Sequence, residues 1–267
     1  MRKPATLAIA VGFLLAVLLP APTAGVAGSA PSPGYTVLQM NLCLSGAAGC
    51  FARTAYPAVI DEATAQVVAQ DAEAVTLNEA CSGDVETLAR RTGYRMRFSA
   101  VLSGGARVPC VRPGGRGVYG IAVLTKAAVR SAHDGAFEVH AGAEERRWLC
   151  VTTGRRTTVC SAHLDTRGSA VARVFNDAEC RQLKAVLARY DEAGVTVFGG
   201  DVNRRDPCAP GTMWTRDDAA ATQLPGIQHV YGSRSLGPPA ARVAAATYTD
   251  HDFLSASMPL EARTTRG

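Results

Sequence analysis

The sequence has few aromatic and charged residues, and it lacks an apolar run long enough for a membrane span. Aromatic residues make up 6% of the 267 residues and charged residues 19%. The apolar run from Leu7 to Leu19 is too short to cross a bilayer comfortably. Hydrophobic residues reach 47% and no repeat or low-complexity tract occurs, which excludes a disordered chain, a collagen and a coiled coil. The net charge of +5 is mild and does not by itself indicate a polyanionic partner.

The N-terminal segment has the pattern of a secretory signal peptide. Arg2 and Lys3 precede the apolar run, Pro20 follows it, and small residues continue to Ala30. We therefore expect a signal peptide at 1–27, with an approximate cleavage site, a short linker at 28–34 and one domain at 35–267. The mature protein is expected to be secreted, extracellular and, in the absence of an oligomerisation motif, monomeric, without stable membrane insertion.

All eight cysteines follow this leader, and an even number in an exported chain predicts up to four disulfides. A zinc site is disfavoured because no C-x-x-C pair or close Cys/His cluster occurs. Sequence alone does not choose among the pairings. Cys43–Cys50 would close a small loop and Cys150–Cys160 would face each other across a hairpin, which leaves Cys81–Cys110 and Cys180–Cys208 as the remainder.

Hydrophobic periodicity predicts strands that first alternate with helices and later follow one another directly. This order favours an α/β (α+β) fold of mixed sheets covered by helices, in one domain. Residues 103–117 are rich in Gly, Arg and Pro and are expected to form an exposed loop. The predicted strands are 35–42, 74–79, 96–102, 119–125, 147–153, 157–164 and 195–198, with short strands near 227–231 and 252–256; the predicted helices are 57–70, 84–91 and 173–192.

Polar side chains cluster where predicted strands end, the place where layered α/β proteins bind ligands. Taken singly, an Asn or Asp after a strand is typical of a turn, and a lone His is usually structural. Five such sites along one chain favour a common functional site. Its members would be Asn41, Glu79, His163, Asp165, Asp201, Asn203, Asp250 and His251.

These segments resemble motifs of the endonuclease/exonuclease/phosphatase superfamily, the deoxyribonuclease I-like phosphoesterases. Gly200-Asp-Val-Asn is similar to the family's G-D-x-N, Ser161-Ala-His-Leu-Asp-Thr to its T-H-L, and Thr249-Asp-His to its S-D-H. Leu77-Asn-Glu is similar to L-Q-E, and Gln39-Met-Asn to W-N or M-N. The resemblance extends from Tyr35 to the C-terminus. It implies a four-layer sandwich of two packed mixed β-sheets flanked by helices, with the active site at one end.

The resemblance implies a metal-dependent phosphodiesterase, most readily a nuclease. Hard carboxylate and amide oxygens suit Mg²⁺, with Mn²⁺ or Ca²⁺ as alternatives. Glu79 and Asn41 would form the metal pair, with Asp250 beside them. Asp201 and Asn203 would orient the attacking water and hold the phosphate, since their i, i+2 spacing aims both side chains to one side.

Two histidines complete the implied mechanism. His251 would be the general base, oriented by Asp250, because an imidazole titrates near neutrality and a neighbouring carboxylate fixes its tautomer. His163 would donate a hydrogen bond or a proton to the phosphate or to the leaving oxygen.

Two positions depart from the family pattern. Gln228 stands where an Asp that pairs with the first histidine is expected, so His163 is predicted to act mainly as a neutral donor. Asp165, Asp217 or Asp218 could replace that Asp. Ile121 follows Tyr119-Gly where many relatives carry Asn, which removes a possible phosphate contact.

Further substrate contacts are expected from residues beside these motifs. Among the clustered arginines, Arg147 lies near a strand start and Arg204 follows Asn203, so both are placed to reach the phosphate. Tyr119 and Gln228 are also candidate substrate-binding residues. The other clustered arginines are typical of ordinary solubilising surface.

Two other functions remain open at this stage. A sphingomyelinase-like or small phosphoester hydrolase would share the fold, but the chain has only Trp148 and Trp214 and no apolar loop to insert into a membrane. A non-catalytic binding protein on the same scaffold is motivated by Gln228 and Ile121, since fold alone does not establish function.

Overall fold

A computed structural model describes residues 34–237 and 239–259. The expected signal peptide lies outside the described residues. The helices are α1 (Ala58–Gln70), α2 (Ser82–Thr92) and α3 (Ala170–Ala193), with short 3₁₀ helices at Gly49–Arg53 and Arg234–Leu236. The strands are β1 (Gly34–Asn41), β2 (Ala74–Cys81), β3 (Arg95–Ala100), β4 (Leu102–Ser103), β5 (Ala106–Arg107), β6 (Tyr119–Thr125), β7 (Val129–Ala136), β8 (Arg147–Thr153), β9 (Thr157–His163), β10 (Val195–Asp201), β11 (Met213–Asp217), β12 (Gln228–Ser233), β13 (Ala240–Ala244) and β14 (Phe253–Pro259).

Twelve of these strands form two six-stranded mixed sheets, and β4 and β5 form a separate hairpin. The first has the order β13-β14-β1-β2-β6-β3 and the second the order β11-β12-β10-β9-β8-β7. Each sheet has one parallel pair near its centre, β1 with β2 and β9 with β10, while the other pairs are antiparallel. A parallel pair needs a crossover connection, and α1 and α3 provide it in the two sheets.

The helices and sheets stack in four layers. Helices α1 and α2 pack with Val59, Val67 and Leu88 onto the outer face of the first sheet, and α3 packs with Leu183 and Leu187 onto the outer face of the second. The two inner faces share a core of small branched side chains contributed by β1, β6, β8, β9, β10 and β14. The predicted four-layer sandwich is confirmed. No helix among the described residues is long and apolar enough to cross a membrane.

The four expected disulfides are all present. Cys43–Cys50 closes the loop after β1, and Cys81–Cys110 ties the end of β2 to the loop before β6. Cys150–Cys160 joins β8 to β9, with their Cα atoms 4.0 Å apart as register partners. Cys180–Cys208 ties α3 to the segment after β10.

The expectation that residues 103–117 form an exposed loop is wrong in part. The segment contains the small β4–β5 hairpin, and Cys110 is buried. Arg116 is also buried and its guanidinium pairs with Asp84 at 2.6 Å while stacking on the Tyr56 ring. A buried ion pair of this kind needs hydrogen bonds on its remaining donors, and Arg116 donates to the Leu44 and Arg112 carbonyls. The loop is therefore anchored to the body of the protein.

Candidate active site

The ends of four strands place the motif residues at one edge of the sandwich. Because β1 and β2 are parallel, Asn41 and Asn78 are register partners at their carboxyl ends. In the second sheet the parallel pair β9 and β10 aligns His163 with Asp201 in the same way. Parallel strands end at the same edge of a sheet. The parallel pairing therefore brings the motifs after β1 and β2 together in the first sheet, and those after β9 and β10 together in the second.

Asn41 joins the two sheets at this edge. Its side-chain nitrogen donates to Glu79 Oε1 and to Asp201 Oδ2, each at 3.0 Å. Its side-chain oxygen accepts from the Cys43 backbone N–H at 3.2 Å, which fixes the orientation of the amide. Asn41 is fully buried, and it aims a donor, rather than its oxygen, at the two carboxylates.

Asp201 lies at the centre of the cluster. Its Oδ1 accepts from the Asn203 backbone N–H at 2.9 Å, and its Oδ2, which binds Asn41, lies 3.7 Å from His251 Nε2. The loop before β14 is held against β1 by a hydrogen bond of 3.3 Å from the Thr249 hydroxyl to the Asn41 carbonyl. The site residues of the last motif therefore meet those of the first.

Glu79 sits at a backbone irregularity that turns its side chain toward this cluster. The β2–β6 register shifts between Leu77 and Ala80, and Glu79 has a φ of +51°. Bulges that re-aim one side chain are frequent beside active sites, and strained non-glycine residues occur there for the same reason.

Burial, assisted by the charges of Asp201 and Asp250, raises the pKa of Glu79 to about 7 against the opposing effects of Asn41 and His251. Three carboxylates thus share one poorly solvated edge. Asp250 Oδ1 is buried without a hydrogen-bond partner among the described residues. A hard divalent cation would neutralise these charges and use this oxygen, so the donor set fits Mg²⁺ and, by the same chemistry, Mn²⁺ or Ca²⁺.

Cys43, Cys50 and Glu79 also lie within metal-binding distance of one another. The two sulfurs are joined in a disulfide and are not thiolate ligands. Cys50 Sγ lies 3.6 Å from Glu79 Oε2, so the disulfide packs against this carboxylate.

Asp250 does not orient His251, contrary to the expectation. Its Oδ2 pairs with Arg53 Nη2 at 3.0 Å, and His251 Nδ1 has no hydrogen-bond partner among the described residues. Arg53 lies in the 3₁₀ helix after the Cys43–Cys50 loop, and its side chain is 56% exposed. A cation at the rim of the site was missed by sequence reasoning because no motif marks it.

The position of Gln228 also corrects an expectation. Gln228 lies opposite Asp201 in the β10–β12 pair, but its side chain hydrogen-bonds Gln39, Asp218 and the Asp252 carbonyl rather than His163. Asp217 and Asp218 accept hydrogen bonds from Ala219 and Gln228 respectively, and neither is bonded to His163 among the described residues.

The ring of His163 meets an arginine where a carboxylate was expected. Its Nδ1 lies 3.3 Å from Arg146 Nη1, and its Nε2 lies 3.2 Å from the Asn203 side-chain nitrogen and 3.9 Å from Glu79 Oε1. Asp165 reaches this ring only indirectly, by pairing with Arg146 Nε at 2.9 Å.

Two predicted phosphate-binding arginines point elsewhere. Arg147 pairs with Asp134 and Glu145 and donates to Ser99 at the β3–β7 edge. Arg204 pairs with Asp177 of α3 at 2.7 Å. Neither guanidinium is bonded to a residue of the catalytic cluster.

Tyr119 and Ile121 occupy alternate positions of β6 with different surroundings. Burial raises the pKa of the Tyr119 phenol, and the charges of Glu79 and Glu144 act in the same direction, which places Tyr119 beside the site. Ile121 is 2% exposed and belongs to the core between the sheets.

No family model matches the sequence, and no curated protein is significantly similar to it. Solved structures are nevertheless similar in fold. An endonuclease/exonuclease/phosphatase from Beutenbergia cavernae is 20% identical with a TM-score of 0.64, and the match covers 85% of this chain and 72% of that one. The human Nocturnin catalytic domain, solved with a bound sulfate anion, is 12% identical with a TM-score of 0.62, over 84% and 93% of the two chains.

Danio rerio TDP2, solved with a single-strand DNA product, is 14% identical with a TM-score of 0.57, and the match covers 84% of this chain and 98% of that one. These structures define a class of sandwich proteins. The chain has the fold of these structures, a four-layer sandwich of two mixed β-sheets flanked by helices, which the endonuclease/exonuclease/phosphatase from Beutenbergia cavernae also has.

Proposed function

We propose that the protein is a secreted phosphodiesterase that depends on a divalent metal ion and cleaves nucleic acid. The observation that carries the proposal is the linkage of Glu79, Asn41, Asp201 and His251 across two sheets, with contacts of 3.0 to 3.7 Å. A structural role alone does not require buried carboxylates to gather where their charges repel. The fold is compatible with this chemistry, because Danio rerio TDP2, solved with a single-strand DNA product, and human Nocturnin, solved with a bound sulfate anion, have the same fold.

Glu79 and Asp250 would hold the metal ion, which we propose to be Mg²⁺. Asn41 would steady the Glu79 and Asp201 carboxylates through its amide nitrogen, a positioning role in place of the ligation expected for it, because its oxygen accepts from the Cys43 backbone N–H. When bound, the ion supplies charge neutralisation on the phosphoryl oxygens.

Asp201 and His251 would act on the attacking water. The gap of 3.7 Å between Asp201 Oδ2 and His251 Nε2 puts both acceptors within reach of one water molecule. Asn203 follows on the strand exit, where its backbone N–H donates to Asp201 Oδ1 and its side-chain nitrogen lies between the Leu164 carbonyl and His163 Nε2, from where it would donate to the phosphate. His251 would accept the proton as the water attacks phosphorus, and the bond to the leaving oxygen would break on the opposite side.

A nucleic-acid substrate is favoured over a lipid. Arg53 offers an exposed cation at the rim, beside Asp250, and a phosphodiester backbone would pair with it. The large apolar side chains exposed on the described residues are scattered over α1, α3 and several loops, namely Val68, Val111, Val171, Val174, Leu224 and Tyr248, and they form no insertion loop. The four disulfides support secretion, because disulfides persist in oxidising compartments.

The direct test is hydrolysis by the oxidised mature protein, residues 28–267. Single-stranded DNA, plasmid DNA, RNA, a chromogenic phosphodiester and sphingomyelin vesicles would each be incubated with Mg²⁺ or with excess EDTA. We expect cleavage of at least one nucleic acid that EDTA abolishes and added Mg²⁺ restores. A Glu79→Gln sample prepared in the same way controls for contaminating nuclease. Cleavage of sphingomyelin alone would favour the lipid enzyme, and no cleavage of any ester would favour the binding protein.

Arg53 provides a separate prediction about substrate affinity. Arg53→Ala should raise KM for a nucleic acid about tenfold, equivalent to about 1.4 kcal/mol, because one phosphate loses a charged partner. Arg53→Lys should recover part of the loss, since the charge returns without the bidentate geometry.

Steady-state kinetics at two salt concentrations would measure the Arg53 effect. Arg155→Ala is the matched control, because Arg155 is similarly exposed at 64% but lies in the β8–β9 turn and pairs with Glu73. An unchanged KM in Arg53→Ala would remove Arg53 from the binding surface.

A further inference from the structure

Two sulfur atoms and a carboxylate converge beside the proposed magnesium site. Cys43 Sγ, Cys50 Sγ and one oxygen of Glu79 all lie within 4.8 Å of one another. Cys43 and Cys50 come from the segment after β1, whereas Glu79 lies in β2, so only the fold brings the three together. The set contains no histidine and no C-x-x-C pair, which is why the sequence does not reveal it. While the bridge between the two cysteines is intact, neither sulfur is available as a thiolate ligand.

The distance between Cys50 and Glu79 already suits a zinc ion. Zn²⁺ binds thiolate sulfur at about 2.3 Å and carboxylate oxygen at about 2.1 Å, so two such ligands at a tetrahedral angle lie about 3.6 Å apart. Cys50 Sγ lies 3.6 Å from Glu79 Oε2. Two thiolates on one zinc ion lie about 3.8 Å apart by the same geometry, so the sulfurs of a reduced bridge need to separate by less than about 2 Å. Residues 47–49, which directly precede Cys50, are exposed, so little packing opposes this shift.

The Cys43–Cys50 bridge is also the one that a reductant reaches first. Cys50 is partly exposed, and the other seven cysteines are buried. Thiol–disulfide exchange depends on the access of the attacking thiolate to a sulfur atom. The other three bridges are buried at both ends, so we expect them to remain intact under conditions that open this one.

Reduction by a dithiol such as dithiothreitol proceeds through this exposed sulfur. A thiolate of the dithiol attacks Cys50 Sγ, the bond to Cys43 breaks, and its electron pair remains on Cys43 Sγ. The second thiol of the reagent then displaces Cys50, so that the dithiol leaves as a cyclic disulfide and the protein gains two thiols. Binding of Zn²⁺ by these two thiols releases their protons.

We propose that reduction of the Cys43–Cys50 bridge creates a zinc site formed by both thiolates and Glu79, with a water molecule as the fourth ligand. Thiolates favour Zn²⁺, whereas the carboxylate oxygens of the oxidised protein favour Mg²⁺. The oxidation state of one bridge therefore selects the class of metal ion that Glu79 binds. The zinc site is a property of the reduced protein by itself, and only its effect on catalysis rests on the proposed function.

Cobalt binding by the mature protein tests the site without an activity assay. The protein is reduced with limiting dithiothreitol, freed of the reagent under argon and titrated with Co²⁺, whose bonds to thiolates give a charge-transfer absorption in the near ultraviolet. We expect this absorption in the reduced protein only, and its loss when an equimolar amount of Zn²⁺ is added. Mass spectrometry after thiol labelling should identify Cys43 and Cys50 as the first pair reduced. No absorption in the reduced protein, or earlier reduction of another bridge, would overturn the proposal.

Variants of the three ligands identify the site. Glu79→Gln should raise the Kd for Co²⁺ more than about tenfold, because even the loss of a residue that only supports a ligand costs about 10–100-fold. Glu86→Gln, on the exposed side of α2, is the matched control and should leave this Kd unchanged. The double variant Cys43→Ser/Cys50→Ser should show no charge-transfer absorption after the same reduction. If it does not fold, reduced wild type alkylated at both thiols replaces it. An unchanged Kd in Glu79→Gln, or an absorption that survives the loss of both thiols, would contradict the assignment.

Hydrolysis measurements separate this proposal from the proposed function. In the presence of Mg²⁺, Zn²⁺ should half-inhibit the reduced enzyme at a concentration about 100-fold or more below that needed for the oxidised enzyme, because two thiolates join the carboxylate as ligands. Equal inhibition of the two forms would contradict the competition for Glu79. A protein that cleaves no ester in either form would overturn the proposed function, and the cobalt absorption would still decide the zinc site.

Discussion

Replacing Glu79 by Gln should abolish most of the hydrolytic activity while making the metal-free protein more stable. We expect kcat/KM to fall by about 10³-fold or more, because the variant loses the charged oxygen that would hold the metal ion. The amide keeps the shape of the side chain, and its oxygen still accepts from Asn41, so the fold should be retained.

The gain in stability follows from the raised pKa of Glu79, which is about 7 in the folded protein against the ordinary 4.5 of a glutamate side chain. Below pH 4.5 the Glu79 carboxyl is protonated in both the folded and the unfolded protein, so it does not lower the free energy of unfolding. As the pH rises from 4.5 to 7, the unfolded chain loses its proton first, so the folded state becomes progressively less stable. Above pH 7 the full penalty remains, about 3 kcal/mol for a shift from 4.5 to about 7, and Gln removes it.

Chemical denaturation in EDTA at pH 5 and pH 8 would measure this difference. The advantage of Glu79→Gln over wild type should be larger at pH 8 than at pH 5. Mg²⁺ should stabilise the wild type and have a weaker effect on the variant. Glu86→Gln, on the exposed side of α2, is the matched control and should change neither rate nor stability. A variant that is less stable than wild type at pH 8 would contradict the burial of a repelled carboxylate.

Asp201→Asn and His251→Gln should each lower kcat by about 10²–10⁴-fold, the range for loss of one acid–base group. Both side chains would contact the same water, since their nearest atoms are 3.7 Å apart. Residues that act as a unit give non-additive losses, so the double variant should be no more than about tenfold slower than the slower single variant.

The two substitutions should differ in their effect on folding. Asp201 accepts hydrogen bonds from Asn41 and from the Asn203 backbone, and an amide nitrogen placed on either side would face one of these donors. We therefore expect Asp201→Asn to lose about 1–3 kcal/mol of unfolding free energy.

His251→Gln should unfold nearly as the wild type does, because His251 Nδ1 has no partner to lose among the described residues. Single-turnover kinetics and thermal unfolding would separate the two effects. His133→Gln, an exposed histidine of β7, serves as the control. Strictly multiplicative rate losses would assign Asp201 and His251 to different steps.

The sequence predicted the central strands and the helices well because these features depend on local patterns, whereas the four-layer sandwich was predicted from the family resemblance. The continuous apolar runs of β6 and β10 and the polar residues after them identify buried strands that end at a common edge. The edge strands β7, β11 and β13 were missed. The first and last of these are mostly exposed, so no hydrophobic alternation marks them.

The supporting residues of the site could not be predicted in the same way. Arg146 and Arg147 are adjacent in sequence, and only the observed strand geometry sends Arg146 to His163 and Arg147 to Asp134. A shift of one residue reverses the side to which a strand residue points, and sequence does not fix that register at a strand start. Arg53 and Asp250 are separated by 197 positions, and no local signal links them.

The departures from the family pattern also became interpretable only in three dimensions. Gln228 is satisfied by Gln39 and Asp218 and has no part in holding His163. Arg146 lies beside His163 Nδ1, where the family pattern would place the Asp side chain. The replacement of that Asp by Gln228 therefore goes together with a different set of polar contacts around His163.

Cystine bridges fasten the segments that follow β1, β2 and β10, the same strands that deliver Asn41, Glu79 and Asp201. Such bridges restrict the denatured chain and also limit local opening of the segments they join. The core between the sheets contains none of these cysteines, so its cohesion rests on apolar packing and on buried hydrogen bonds between the sheets, such as the bond from the Asp201 backbone N–H to Asn78 Oδ1. The disulfides therefore support the segments beside the catalytic residues, and they do not hold the two sheets together. A thiol reductant would loosen these segments before the sheets separate.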